Sequence, residues 1–275
     1  MPELPEVQTI VSDLNQHITG YQIVQILTAK GYLLHPTNIL FGKSALNQEI
    51  TGVTRVAKNI LLELKNGRFI HFHLAMTGRI LLRDPDQKSD NWVKLILKIQ
   101  KGSFVKHLKF TDMRMFGKVG VLTPDEAEKL KQKYGPEPID TKLTPKVFLQ
   151  KLQSKNSTVK NVLLDQTIVS GLGNIYATDA LFLAKLHPEK PTKLLTIFDA
   201  KNLLQSAKQL LQEAIQNRGS TLPDNMYIDI FGKPGFQQNH FRVYMKQACP
   251  LCSTKVEFIK IAGRGTYYCP KCQAL

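Results

Sequence analysis

The sequence lacks any apolar run near the roughly 18 residues that cross a bilayer, which argues against a membrane-spanning helix. Its start, MPELPEVQTI, has neither a basic lead nor an apolar core, so no secretory leader is expected and the cytosol is the expected compartment. No internal repeat and no low-complexity tract is visible, which excludes a repeat array. Acid is the scarce charge: 22 Asp and Glu face 37 Lys and Arg over 275 residues, a net charge of +15. Such an excess speaks to partners rather than to fold. It favours a polyanion such as nucleic acid, with an acidic membrane surface as the weaker alternative. With 43% hydrophobic and 21% charged residues the chain is expected to fold, into one to three domains.

No cysteine is left over from two C-x2-C pairs. Cys249, Cys252, Cys269 and Cys272 form those pairs, 16 residues apart. In a cytosolic chain this spacing reads as tetrahedral zinc, because two short knuckles offer the four thiolates that Zn²⁺ prefers. Four protein ligands leave no open position, so the ion is structural. The alternative, two redox pairs, lacks the βαβ context it needs.

Val7, Ile10, Val11, Leu14 and Ile18 recur at helical spacing, with Pro5 at the start and Gly20 at the stop, predicting a helix over 5–19. The pattern then changes to strands up to about residue 122. Residues 53–64 and 68–74 flank the hairpin signal Asn66-Gly67, and Val93, Leu95, Leu97 and Ile99 alternate ahead of a turn at Lys101-Gly102 that leads into 104–110. Gly135-Pro136-Glu137-Pro138 cannot continue a helix and marks a boundary. Beyond it, 145–153, 158–165, 175–186 and 196–217 read as helices. The layout is a β-rich domain with a leading helix, a helical domain, and a zinc hairpin packed on the latter.

Candidate chemistry begins at the N-terminus. If Met1 is removed, Pro2 presents a free secondary amine; an α-amino group titrates near about 8, so much of it is neutral at pH 7. A neutral amine can attack a sugar C1′ and form an iminium. Glu3 and Glu6 bracket the helix start, where a carboxylate can shuttle protons; acidic residues in a first turn are also ordinary. Gly171-Leu172-Gly173-Asn174, between two helices, suits backbone N–H approach to a phosphate, with Asn174 capping the second helix; a flexible turn fits equally. Arg264, at a glycine-flanked hairpin tip, suits bidentate phosphate contact or is an incidental surface charge. Lys58, in an otherwise apolar run, is either an edge-strand charge or an ammonium aimed into a groove. Met76 and Phe116 are core residues by default, and Arg114 a surface charge.

The start PELPEV, the interdomain GPEP, the turn GLGNIY followed by LAKLHP, and the end AGRGTYYCPKCQ occur in order over essentially the whole chain. Together they resemble the formamidopyrimidine-DNA glycosylases, in the wider family that includes endonuclease VIII. The leucine of PELPE favours the formamidopyrimidine branch. The resemblance implies an α+β multidomain fold: an N-terminal β-sandwich with a leading helix (1–132), a helix–two-turns–helix domain (133–235) and a C-terminal β-hairpin zinc finger (236–275), with DNA in the cleft between them. It implies a bifunctional DNA glycosylase and AP lyase that removes oxidised purines from duplex DNA as a monomer. Pro2 is then the Schiff-base nucleophile and Glu3 the proton shuttle. Lys58 is the strand lysine that contacts phosphate and assists at the sugar. Asn174 and Arg264 clamp phosphates, Lys160 is a further lysine near them, and Glu6 is grouped with the DNA-facing residues. Met76, Arg114 and Phe116 fill the space that the extruded base vacates, offsetting the few kcal/mol of lost stacking.

Four stretches depart from the family pattern. Ser89-Asp90-Asn91 stands where His-Asp-His is common, and Asp179 replaces a Glu. The base-covering loop reads Arg218-Gly219-Ser220-Thr221-Leu222-Pro223-Asp224 with an apolar Tyr227-Ile228-Asp229-Ile230-Phe231. Met245-Lys246-Gln247-Ala248 lacks the usual glycines. Catalytic and phosphate positions survive while the loop has drifted. The alternatives are the same chemistry with oxidised-pyrimidine preference, a non-cleaving protein that binds damaged DNA, and a general nucleic-acid-binding module.

Overall fold

The computed structural model describes residues 1–87 and 89–275. They divide into two compact units, Met1–Gln132 with Arg218–Phe236, and Lys133–Asn217 with Gln237–Leu275. The first opens with α1 (Leu4–Ile18), one residue ahead of the expected start. Val7, Ile10, Val11, Leu14 and Ile18 lie on its buried stripe, and Gly20, at φ +83°, ends it in a conformation that favours glycine. Its N-terminus is tied by Glu6, whose Oε2 accepts the Glu3 N–H at 2.8 Å, satisfying one of the four donors a helix start leaves open.

The strands follow as β1 (Gln22–Thr28), β2 (Ile50–Val56), β3 (Asn59–Leu64), β4 (Phe69–His73), β5 (Gly78–Arg83), β6 (Val93–Lys101), β7 (Phe104–Asp112) and β8 (Lys118–Leu122), with α2 (Asn38–Ala45) after β1 and α3 (Pro124–Gln132) after β8. They form two four-stranded antiparallel sheets, ordered β1-β6-β7-β5 and β2-β3-β4-β8. The alternation read from the sequence is the register itself: Leu95, Leu97 and Ile99 point inward with Leu108 and Phe110, joining Ile60, Leu62, Ile70 and Phe72 in one apolar cluster. α1 packs against β2 and β3.

The stretch 53–64, read as one strand, is two strands. The chain reverses at Ala57-Lys58, with Val56 paired to Asn59 and Ala57 at φ +52°. The Ala57-Lys58 tip itself holds neither glycine nor asparagine and the β3 arm runs on as an apolar stretch, so the sequence conceals it. α2 was likewise unexpected. Thr37 caps it by accepting the Leu40 N–H at 3.1 Å, yet it buries only Phe41 and Ala45, too few to set a visible period. α3 carries a legible signal that the strand reading passed over. Thr123 and Glu126 cap each other, the Thr123 N–H reaching Glu126 Oε2 at 2.8 Å and the Glu126 N–H reaching Thr123 Oγ1 at 3.3 Å.

The second unit holds α4 (Pro145–Gln153), α5 (Val159–Leu164), α6 (Asn174–Leu183) and α7 (Ile197–Gln216), each within three residues of its expected bounds, and the hairpin β9 (Glu257–Ile261) and β10 (Arg264–Tyr268). α6 packs on α7 and on β10, and Phe182 of α6 joins Val243, Val256, Cys249 and Cys269 in a second cluster.

Candidate functional site

At the head of α1, Pro2, Glu3 and Glu6 are all buried, Glu3 at 3% and Glu6 at 2% exposure. Carboxylates are hidden this way only with partners. Glu6 holds two chain segments at once: Oε2 takes the Glu3 N–H, and Oε1 takes the Ser220 N–H at 2.7 Å. Gly219, at φ +77°, makes that approach possible, since a Cβ there would stand 2.8 Å from the Glu6 carboxylate. The segment after it is anchored. Arg218 bridges Asp13 at 2.6 Å and Asp229 at 2.7 Å, and the two carboxylates push its pKa further up. Tyr227 and Ile230 sit in the sandwich core, and the Leu82 N–H donates to the Ile230 carbonyl at 2.8 Å on the edge strand β5. Tyr227 and Ile230 of the loop are therefore anchors, whereas Phe231 is exposed.

Lys58 is not a strand residue: it stands in the 57–58 turn and is buried to 8% exposure. Its charge is felt by His73 of β4, whose pKa is pushed down by burial, by Lys118 and by Lys58. His71, two residues along, has Nε2 2.8 Å from Asn59 Oδ1. Sequence reading missed this cationic end of the sheet, although the period-two spacing of His71 and His73 places both on one face. Asp90, kept where the flanking residues depart from the family, bridges Arg83 at 3.1 Å and Lys109 at 3.0 Å.

Met76, Arg114 and Phe116 are brought together in the open. Phe116 is 55% and Met76 39% exposed, so neither is the core residue assumed by default. The Arg114 guanidinium lies 4.7 Å from the Phe116 ring centroid, and its Nη1 is 3.4 Å from Met76 Sδ. Met113 and Met115 are exposed beside them, another feature missed; three apolar side chains in the short turn between β7 and β8 were the available signal.

In the second unit Lys160 and the Asn174 Oδ1 are hidden. Lys160 is fully buried, and its ammonium donates to the Asn174 carbonyl at 2.9 Å and to the Thr178 hydroxyl. It therefore holds the start of α6 rather than reaching outward. Asn174 is not the cap. Gly173 occupies that position, and Asn174 is the first helical residue, its Nδ2 donating to the Gly265 carbonyl at 2.8 Å. Its Oδ1 is buried without a hydrogen-bond partner among the described residues. Arg264 is exposed beside the Ala262-Gly263 tip and, with Lys155, Ser157, Asn161 and Asp165, lines a cavity of about 390 Å³.

The four cysteine Sγ atoms lie within 4.8 Å of one another, with neighbouring separations of 3.4, 3.5 and 3.8 Å. A tetrahedron with Zn–S bonds of about 2.3 Å has edges near 3.8 Å, so the set fits one structural zinc ion with no open position. Asp179 of α6, fully buried, accepts the N–H groups of Arg242, Val243 and Tyr244 at 2.8–3.0 Å and so docks the chain leading into the hairpin. Burial pushes its pKa up against those bonds. Where glycines are usual, Met245 takes φ +56°, a strained value for a side-chain-bearing residue.

Residues 1–119 match the formamidopyrimidine-DNA glycosylase N-terminal domain, 134–225 the formamidopyrimidine-DNA glycosylase H2TH domain, and 246–275 the zinc finger found in FPG and IleRS. The formamidopyrimidine-DNA glycosylase of Chloroflexus aurantiacus is 36% identical over 99% of this chain and 98% of its own length. The Lactococcus lactis Fpg solved with an abasic site containing DNA is 33% identical, covers 100% of both chains and superposes with a TM-score of 0.91. A complex of the wild-type Lactococcus lactis protein with an oxidized pyrimidine containing DNA gives 0.90 at the same identity and coverage.

Proposed function

The chain belongs to the formamidopyrimidine-DNA glycosylase family, and from that premise we propose that it excises oxidised purines from duplex DNA and then cleaves the strand. The observation that carries this reading is Pro2 beside Glu3 at the head of a helix whose first turn Glu6 pins. Removal of Met1 frees the Pro2 nitrogen. The positive end of α1 favours its uncharged form. Its lone pair bonds to C1′, the glycosidic bond breaks, and the departing base takes the electron pair and a proton. The amine proton is lost, the C1′–O4′ bond opens with protonation of O4′, and a C1′ iminium results. The iminium acidifies C2′; loss of that proton expels the 3′ phosphate, and a second elimination expels the 5′ phosphate. Glu3, next to the nitrogen, is the group that passes these protons.

Within this scheme Lys58 supplies positive charge at the sugar, and Arg264 and Asn174 contact phosphate. Lys160 acts through Asn174, whose carbonyl it holds. Glu6, buried with its two oxygens on the Glu3 and Ser220 N–H groups, acts by holding the 218–220 segment rather than by contacting DNA, while Met76, Arg114 and Phe116 occupy the vacated stack. We assign 1–132 to chemistry and base replacement and 236–275 to the zinc-held phosphate hairpin; the expected domain 133–235 is split, with 133–217 assigned to backbone contact and 218–235, which packs with the first unit, to the loop over the base. The protein acts on damaged DNA as a monomer in the cytosol. The Lactococcus complex with an oxidized pyrimidine supports a second reading, the same chemistry on pyrimidine lesions.

Borohydride trapping on duplexes carrying 8-oxoguanine or an oxidised pyrimidine tests both readings, with intact mass recording the loss of Met1. A covalent adduct that disappears in Pro2→Gly is expected. Retention of Met1, or an adduct that persists at the wild-type rate in Pro2→Gly, overturns the nucleophile.

A further inference from the structure

The two loops that carry Met76 and Arg114–Phe116 come from different strand connections, yet one buried carboxylate fastens both. Asp112, the last residue of β7, is 0% exposed. Its Oδ1 accepts the Thr77 hydroxyl and, at 3.2 Å, the Arg114 N–H; its Oδ2 accepts the Gly117 N–H at 2.7 Å. The Arg114 N–H is shared, lying also 3.1 Å from Thr77 Oγ1. Antiparallel pairing of Gly78 with Asp112 brings Thr77 into reach, and Thr77 follows Met76 directly. The turn 113–117 therefore wraps around the carboxylate. Met115, at φ +58°, is strained in that wrap, and Gly117 has no room for a side chain, a Cβ there falling 2.7 Å from the Phe110 ring. The outcome is an ordered backbone under three exposed side chains that already touch one another.

We propose that Asp112 and Thr77 are positioning residues that lock the two loops into a preassembled wedge, so that base extrusion does not wait for loop ordering. This rests on the reading above, in which Met76, Arg114 and Phe116 enter the stack. A buried carboxylate with three donors, two of them backbone, is costly to hide and is retained where it fixes geometry. Losing it shifts side chains that must meet the duplex to within about an ångström, and displacement of that order costs up to about 100-fold in rate.

The test compares Thr77→Val, Thr77→Ser and Asp112→Asn with the wild type on an 8-oxoguanine duplex and on an abasic duplex, with 2-aminopurine beside the lesion reporting extrusion. Thr77→Val is expected to slow excision and the fluorescence rise on the order of 10- to 100-fold. Cleavage of the abasic duplex, which has no base to extrude, should change far less, and Thr77→Ser should restore excision. Equal losses on both substrates, or wild-type excision by Thr77→Val, overturn the proposal. Hydrogen exchange in the free protein is read separately. Unprotected Arg114 and Gly117 amides in the wild type refute the clamp whatever the activity. Protected amides in a wild type that neither extrudes nor excises instead refute the role assigned to the wedge in DNA.

Discussion

The loops around Met76 and Phe116 in the first unit and the start of α6 in the second treat their side chains in opposite ways. The first displays apolar groups, Met76, Met113, Met115 and Phe116, in the open over a polar clamp. The second hides polar groups, Lys160, Asp179 and the amide of Asn174, beneath a turn and a metal-held hairpin. Each arrangement runs against solvation, and each is tolerable only because its partners are in place. An exposed apolar cluster signals a surface waiting for an occupant. A buried, bonded cation signals a backbone held in a set conformation.

The largest expected effect comes from taking the metal out of the second unit. Structural zinc contributes on the order of 10 kcal/mol to small fingers. Chelation or Cys249→Ser should thus abolish exchange protection across Glu257–Tyr268 while the sandwich strands stay protected. A hairpin that keeps its protection without metal would break the contrast, because packing by Phe182, Val243 and Val256 would then suffice.

A smaller effect sharpens it. Lys160→Met removes the donor to the Asn174 carbonyl and to Thr178, so thermal unfolding should show a loss of about 1–3 kcal/mol. Phe116→Ala, at a solvent-exposed site, should stay within about 0.5 kcal/mol of wild type yet slow excision. Reversed stabilities would mean that the exposed ring is structural and the buried ammonium is idle.

The smallest effect is on acid sensitivity. His73, His107 and His187 all have pKa values pushed below 6.5, burial being the leading cause, so the unfolded chain binds protons more readily than the folded one. Stability is full above about pH 6.5 and falls as the pH drops below it toward the folded values. In a urea series from pH 7.5 to 5, His73→Gln should flatten part of that fall. An unchanged slope would show that neither burial nor the Lys118 and Lys58 charges hold the His73 ring neutral in the folded chain.

Much of this protein was legible one segment at a time. Period fixed α1 and the four helices of the second unit to within three residues, cysteine spacing gave the metal, and PELPEV with GLGNIY gave the family, because each signal is local in the chain. The reversal at Ala57-Lys58 was not legible, since its tip carries no turn-forming glycine or asparagine, and it moved Lys58 from a strand to a turn. Nor was the fate of polar atoms. Whether Lys160 faces solvent or the Asn174 carbonyl, and whether Phe116 is core or wedge, depends on which strands and helices arrive beside them.

What the order of residues settled by itself is α1, the four helices of the second unit and the metal ligands, all consequences of spacing along one dimension. Only the folded arrangement decided which carboxylates act as tethers: Asp112 between two loops, Glu6 between α1 and residue 220, Asp179 under the hairpin. The physical reason is that a buried charge is tolerable only among donors, each of these carboxylates takes at least one from a distant part of the chain, and no local pattern encodes that one.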